Sequence, residues 1–288
     1  MSLIDSPRIW TAQPDFTARL RPEIARHCRD LLLGNFGAND LWGAQVTYEG
    51  GLLPAGGEYG LAYQGDGTDN IAYSTARRSA VLGTDIDYTF VAVVRKRNTS
   101  VDSNTIAGLG SAGGESGNTL FRLIGGASAD AYRIQVQDAI SNVWLNTDSP
   151  ACGLSDMRWH CLIVRFGVAN TSNGGTADYY ADGKFLGSVN GDQLEGSAVA
   201  TTFQNLNVCG TRRGGASVGF GAFDVALFAP LFVKMPDGWC RERSALDRIW
   251  DALFWPEDQA VLVSAGAGNV GSVFSSGVFG SNVFRRAA

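Results

Sequence analysis

From Gly43 to about Pro236 apolar and polar residues run in short stretches separated by turn residues. Glu58-Tyr-Gly-Leu-Ala-Tyr-Gln alternates, Gly65-Asp-Gly-Thr-Asp-Asn supplies a turn, and Ile71-Ala-Tyr resumes. A period of two places successive side chains on opposite faces, which is the pattern of a strand with one buried face. Asp87-Tyr-Thr-Phe-Val-Ala-Val-Val-Arg is almost continuously apolar and predicts a strand buried on both faces. Thr119-Leu-Phe-Arg-Leu-Ile, Ala131-Tyr-Arg-Ile-Gln-Val-Gln, Asn142-Val-Trp-Leu and Arg158-Trp-His-Cys-Leu-Ile-Val-Arg-Phe follow at meander spacing. Leu206-Asn-Val-Cys-Gly and Val218 to Phe232 close the series, while glycine-rich Ser100 to Asn118 reads as a loop. The sharpest punctuation is Asp182-Gly183, between Thr176-Ala-Asp-Tyr-Tyr-Ala and Lys184-Phe-Leu-Gly-Ser. A two-residue hairpin turn needs two positive φ values, which Asp tolerates and Gly adopts freely.

The flanks change period. In residues 1–44 a polar arm carrying Trp10 precedes Leu20, Ile24, Cys28, Leu31 and Leu32, whose spacing predicts a short helix between Pro22 and Gly34. In residues 237–264, Leu246, Ile249, Trp250 and Leu253 share one helical face before Pro256. Residues 265–288 are low in complexity and repeat Val273-Phe274, Val278-Phe279 and Val283-Phe284 at a period of five. That period suits neither helix nor simple strand, so these side chains are expected to dock on the chain's own domain or on a neighbouring subunit. Trp10 is the corresponding anchor of the N-terminal arm.

Composition narrows the class. The chain has 288 residues, 45 % of them hydrophobic and 10 % aromatic, which argues for a real core. Thirty-seven glycines against eight prolines suit an all-β sandwich with many tight turns. A net charge of -5 gives no basic face for nucleic acid. The five cysteines are scattered without a C-x-x-C pair and read as free thiols. No basic-then-apolar leader is visible, and no apolar run approaches the ~20 residues of a membrane span. The protein is therefore expected to stay soluble where it is made or to leave by cell lysis.

Several stretches resemble one family in the same order. Gly60-Leu-Ala-Tyr-Gln-Gly-Asp-Gly-Thr-Asp-Asn-Ile resembles the opening of laminin-G-like, concanavalin-A-like jelly rolls. Asp87 to Arg95 is similar to their next core strand, and Arg158-Trp-His-Cys-Leu-Ile-Val-Arg to their Trp-His strand. Tyr179-Tyr-Ala-Asp-Gly-Lys-Phe-Leu-Gly-Ser resembles their most recognisable hairpin, and Phe220-Gly-Ala-Phe-Asp-Val-Ala-Leu-Phe their closing strand. The resemblance implies a two-sheet antiparallel jelly roll over residues 45–236, with short flanking helices and extended terminal arms. Ser6-Pro-Arg-Ile-Trp-Thr-Ala-Gln-Pro and Arg248-Ile-Trp-Asp-Ala-Leu-Phe-Trp-Pro resemble the flanks of structural proteins of tailed bacteriophages and prophages, although the Asn-Pro pair of that group is missing.

Catalytic chemistry finds little footing. Jelly-roll glycoside hydrolases pair carboxylates on alternate residues of one strand. None of the seven glutamates has an Asp two residues on, and Asp85 and Asp87 lack a glutamate beside them. Two histidines, His27 and His160, give little scope for a zinc site or a triad, and His160 reads as a packed or half-exposed structural residue with Cys161 in the core. The resemblance brings calcium as the one candidate cofactor, through Asp66, Asp69 and Asn70, but a turn capped by its own Asp and Asn is the preferred reading of that loop. Arg212-Arg-Gly-Gly reads as a solvated loop rather than a grip for an acidic partner or sugar. Tyr132, Trp144, Tyr179 and Tyr180 are candidates for stacking on sugars, of which alternation must turn about half into the core.

The expectation is thus a non-enzymatic virion structural protein of the capsid or tail, assembled in the host cytoplasm. Trp10, Val273, Phe274, Val278, Phe279, Val283 and Phe284 would bind other virion proteins or further copies of the chain in a homo-oligomer. The alternative is a host-attachment module that binds a surface glycan, and a glycoside hydrolase is the remote third.

Overall fold

The computed structural model describes residues 32–33, 45–51, 55–57, 60–82, 86–110, 120–137, 143–168, 176–190, 201–213 and 216–241. Seventeen strands, one short α-helix and a 3-10 turn at Leu154–Asp156 are formed there, and all but two of the strands pack as two large antiparallel sheets. The eight-stranded sheet runs β13 (Lys184–Asn190), β12 (Thr176–Ala181), β11 (Trp159–Val168), β6 (Ile86–Lys96), β17 (Phe223–Leu231), β4 (Gly60–Gln64), β3 (Ala55–Gly57), with β1 (Leu32–Leu33) also paired to β17. The seven-stranded sheet runs β10 (Val143–Asp148), β9 (Tyr132–Gln137), β8 (Leu120–Gly125), β7 (Thr105–Gly110), β14 (Thr201–Val208), β5 (Ile71–Leu82), β2 (Val46–Glu49). A two-stranded ribbon, β15 (Thr211–Arg213) and β16 (Ala216–Val218), and helix α1 (Asp237–Arg241) complete it.

The core lies between the two large sheets. Phe90, Val164, Phe166, Tyr179, Phe223 and Phe228 from one sheet meet Val46, Ala72, Leu109, Leu123, Ile134 and Val208 from the other. The two sheets are also pinned by tyrosine hydroxyls. The Tyr132 hydroxyl of β9 lies 2.8 Å from the carbonyl oxygens of both Ile163 and Tyr180 and accepts the Tyr180 N–H at 3.1 Å. In return the Tyr179 hydroxyl of β12 meets Thr147 Oγ1 at 2.8 Å, accepts the Ile134 N–H at 3.3 Å and donates to the Thr147 carbonyl. The two rings pack edge to face with centroids 5.2 Å apart.

Two elements depart from the sequence reading. Leu32 and Leu33, at the end of the stretch whose spacing predicts a helix, form a strand paired with Phe228 and Leu227. The free edge of β17 offers backbone partners there, and ladder pairing outweighs a short run's helical spacing. Strand β7 lies inside the stretch read as a loop, and all six of its residues are buried. Its glycines are what hid it. At Gly110 a Cβ would stand 2.3 Å from the Arg212 carbonyl oxygen, so the bare backbone admits the β15–β16 ribbon against the sheet.

The Asp182-Gly183 hairpin forms with φ of 51° and 77°, as a two-residue turn of this kind requires. Asp182 does more than turn the chain. Its Oδ1 accepts the Cys161 N–H at 2.8 Å, and its Oδ2 lies 2.8 Å from His160 Nδ1. His160 Nε2 lies 3.1 Å from Asp156 Oδ1, so the ring, 7 % exposed, is clasped between two carboxylates. Burial alone would push the imidazole pKa down, but the ring's hydrogen bonds to Asp182 and then Asp156 outweigh it and hold the ring above its ordinary value. A raised folded-state pKa stabilises the fold fully below the unfolded value of about 6.5 and loses that contribution as pH rises through the folded pKa. His160→Gln is therefore expected to cost about 1–3 kcal/mol at pH 5.5 and less at pH 8.5. Thermal melts of both proteins across that range check this, and a gap that widens with pH would refute it.

Candidate functional site

The outer face of the seven-stranded sheet is built by one cross-strand row. Pairing places Thr47 opposite Tyr73, Tyr73 opposite Asn207, Asn207 opposite Gly108, Gly108 opposite Arg122, and Arg122 opposite Gln135. Directly opposed residues share a face, so these six line up across β2, β5, β14, β7, β8 and β9. The neighbouring row, through Ala72, Val208, Ala107, Leu123 and Ile134, points into the core. The outer row is polar except for Gly108, which is buried together with Asn207 in its middle, while Thr47, Tyr73, Arg122 and Gln135 keep some exposure.

Hydrogen bonds fix most of this row. Arg122 Nε donates to Gln135 Oε1 at 2.7 Å and its Nη1 to Thr105 Oγ1 at 2.9 Å and Thr211 Oγ1 at 3.4 Å. Thr105 and Thr211 are buried and their hydroxyls lie 2.7 Å apart. Asn207, fully buried, accepts the Arg212 N–H at 3.2 Å through Oδ1, while its Nδ2 has no acceptor among the described residues. On the open side of the ribbon the Arg212 guanidinium lies 5.2 Å over the Tyr73 ring. Its Nη1 donates to Glu49 Oε1 and to Ser217 Oγ, both at 3.1 Å. The Tyr73 hydroxyl donates to Glu49 Oε1 at 3.1 Å, and Ser217 donates to Glu49 Oε2. Burial, and then the Glu49 carboxylate, hold the Tyr73 phenol above its ordinary pKa.

The outer face of the eight-stranded sheet is different in kind. Val91, Val93, Cys161, Ile163, Tyr180 and Ala229 lie outside the inter-sheet core yet are nearly inaccessible, so this face is apolar and covered. At one end of it the Tyr180 hydroxyl donates to Asp237 Oδ1 of α1 at 2.7 Å, and Arg165 lies 5.4 Å over the Tyr180 ring.

The sequence-based candidates fall in three groups. Tyr132, Tyr179 and Tyr180 are each 0 % exposed and cannot stack on a sugar, which corrects that expectation; the side chain of Trp144 lies outside what the structure describes. Asp66 caps its own turn, its Oδ1 accepting the N–H groups of Thr68, Asp69 and Asn70 at 2.8–3.2 Å. Burial raises the Asp66 pKa, but the amides of Thr68, Asn70 and Asp69 outweigh it and hold the carboxyl below its ordinary value. Asn70 Nδ2 donates to the Gln64 carbonyl, and no cluster of three or more His, Cys, Asp or Glu able to hold a metal occurs among the described residues. Asp66 thus forms the capped Asx turn that is the preferred reading of this loop. Trp10, Val273, Phe274, Val278, Phe279, Val283 and Phe284 lie outside the described residues.

Arg212, read from sequence as a solvated loop residue, is instead a held one, with 24 % of its side chain exposed. Tyr73, Asn207, Arg122, Gln135 and Glu49 were missed altogether. The available signal was parity: Arg122 interrupts an apolar run, and Gln135 and Asn207 each sit between two core residues.

Neither a protein-family profile nor a curated protein sequence matches the chain. Solved structures do. The binding domain of botulinum neurotoxin serotype G matches with a TM-score of 0.54 and 10 % identity over 78 % of this chain and 51 % of that one. The fold is a jelly-roll β-sandwich. The binding domain of Paraclostridial Mosquitocidal Protein 1 gives a TM-score of 0.49 and 9 % identity over 78 % and 52 % of the two chains. The CBM40 of the Ruminococcus gnavus IT-sialidase, solved with α2,3-sialyllactose, gives 0.37 and 13 % over 56 % and 90 %. The chain spans about half the length of the two toxin domains. At these identities the likeness is one of fold, and it lends nothing to the virion reading.

Proposed function

We propose that this chain is a non-catalytic carbohydrate-binding module that engages a surface glycan through the outer face of its seven-stranded sheet. The observation that carries this reading is the row Thr47–Tyr73–Asn207–Gly108–Arg122–Gln135. Sugars present rings of hydroxyls, and they are held by donors and acceptors fixed on a rigid scaffold with room for the ring between them. Strand-borne Arg122, Gln135 and Tyr73, each partly exposed, supply such groups on either side of the buried Asn207 and Gly108. Glu49 is the one glutamate among the described residues, and its two oxygens are occupied by Arg212, Tyr73 and Ser217, so the row lacks the opposed carboxylate pair that glycoside hydrolysis uses. The jelly-roll neighbours include domains named for binding, which makes the fold a suitable carrier for this role.

The test is a glycan array probed with the 288-residue chain, followed by titration of the best ligand. Binding should fall about tenfold or more in Arg122→Ala/Gln135→Ala, since each charge-assisted contact to ligand contributes about 1.5–3 kcal/mol. A blank array, or affinity indifferent to these changes, refutes the reading.

A further inference from the structure

The glycan face carries one guanidinium whose geometry selects a class of sugar. Arg212 is fixed on three sides: its backbone N–H bonds to Asn207 Oδ1, its ring-facing side lies over Tyr73, and its Nη1 is held by Glu49 and Ser217. Its Nε and Nη2 have no acceptor among the described residues. Those two nitrogens form one edge of the planar fork, and two parallel N–H donors match the two oxygens of a carboxylate. The side chain is 24 % exposed, and the adjacent Thr47 is exposed, so a ligand has an approach from the β2 side.

We infer that the Nε–Nη2 edge of Arg212 binds the carboxylate of an acidic sugar, and that this contact is what separates acidic from neutral glycans. The inference rests on the carbohydrate-binding reading above. Because the contacts with Tyr73, Glu49 and Ser217 already hold the fork in place, little rotamer entropy remains to be lost on binding. Glu49 has a second role. It orients Arg212, yet its negative charge sits beside the bound carboxylate and weakens the attraction. A lysine at 212 would keep the charge but lose the fork and the flat contact with Tyr73.

The experiment titrates the full chain with sialylated and uronate-containing oligosaccharides, each beside its neutral methyl ester and a sulfated counterpart. The acid is expected to bind about 10- to 100-fold more tightly than its ester, from one charge-assisted bidentate contact. Arg212→Lys should lose most of that preference while remaining folded at the assay temperature, as a thermal melt checks, and Glu49→Gln should tighten binding of the acid by up to about fivefold. Equal affinity for acid and ester overturns the inference and leaves the carbohydrate reading intact. A preference for the acid that survives Arg212→Lys also overturns it, as does tighter binding of the sulfated sugar. Binding of no saccharide at all removes the carbohydrate reading and this inference with it.

Discussion

Replacing Tyr132 and Tyr179 together by Phe is expected to lower the unfolding free energy by roughly 2–5 kcal/mol, and each single change by about 1–3 kcal/mol. Phenylalanine keeps the ring and its burial, so the whole effect comes from the hydroxyls. Removing the Tyr132 hydroxyl takes away the acceptor of the Tyr180 N–H and a donor to the Ile163 and Tyr180 carbonyls. Removing that of Tyr179 strands the Ile134 N–H and Thr147 Oγ1 in the same dry layer. A buried polar group left without a partner costs more than a typical bond contributes, because no water reaches it. The rings touch, so the two effects should not add. Urea unfolding of the wild type, both singles and the double gives the cycle. Domains of this size are stable by about 5–15 kcal/mol, so the double variant should also melt much lower. All three variants should retain glycan affinity at temperatures where they remain folded. Unchanged stability with lost binding would mean that these tyrosines meet ligand after all.

The tyrosines also mark the limit of what alternation reveals. Tyr179 and Tyr180 are adjacent and do face opposite sides, as a period of two demands: Tyr179 enters the inter-sheet core and Tyr180 the outer face. Parity gives the side, however, and not its exposure. The outer face of the eight-stranded sheet is itself covered, so both rings are buried. Strand patterns and the Asp182-Gly183 turn were legible because they depend on neighbours in sequence. The His160 clasp was half legible, since Asp182 was visible as a turn residue but its bonds to β11 depend on the β11–β12 register. The polar row was not legible. Its members lie between positions 47 and 207, and only the pairing of six strands puts them side by side. Arg212 joined them only through the ribbon, whose seat at Gly110 cannot be read from a glycine-rich stretch.

That seat supplies the second large effect. Gly110→Ala is expected to destabilise the protein by about 1–3 kcal/mol, because a Cβ there would stand 2.3 Å from the Arg212 carbonyl and 3.0 Å from Asn207 Nδ2. The Arg212 backbone has to move, since the opposing atom is a carbonyl oxygen and not the end of a flexible side chain. Displacing it loosens the bond from the Arg212 N–H to Asn207 and shifts the guanidinium away from Tyr73. Amide exchange at Arg212 should therefore accelerate far more than at Tyr132, Ile134 or Val136, which lie deep in the same sheet. Affinity for glycan should fall in parallel, by more than the loss of stability alone explains, because a misplaced fork no longer meets its ligand. Gly153→Ala is the control: it places a side chain at positive φ (85°), a backbone cost that Gly110 in its strand does not carry, but nothing lies within 4 Å of the added carbon. It should carry only the backbone cost and leave Arg212 exchange and glycan affinity unchanged. If both glycine variants behave alike, the ribbon is not what positions Arg212, and the face must be organised from the strands alone.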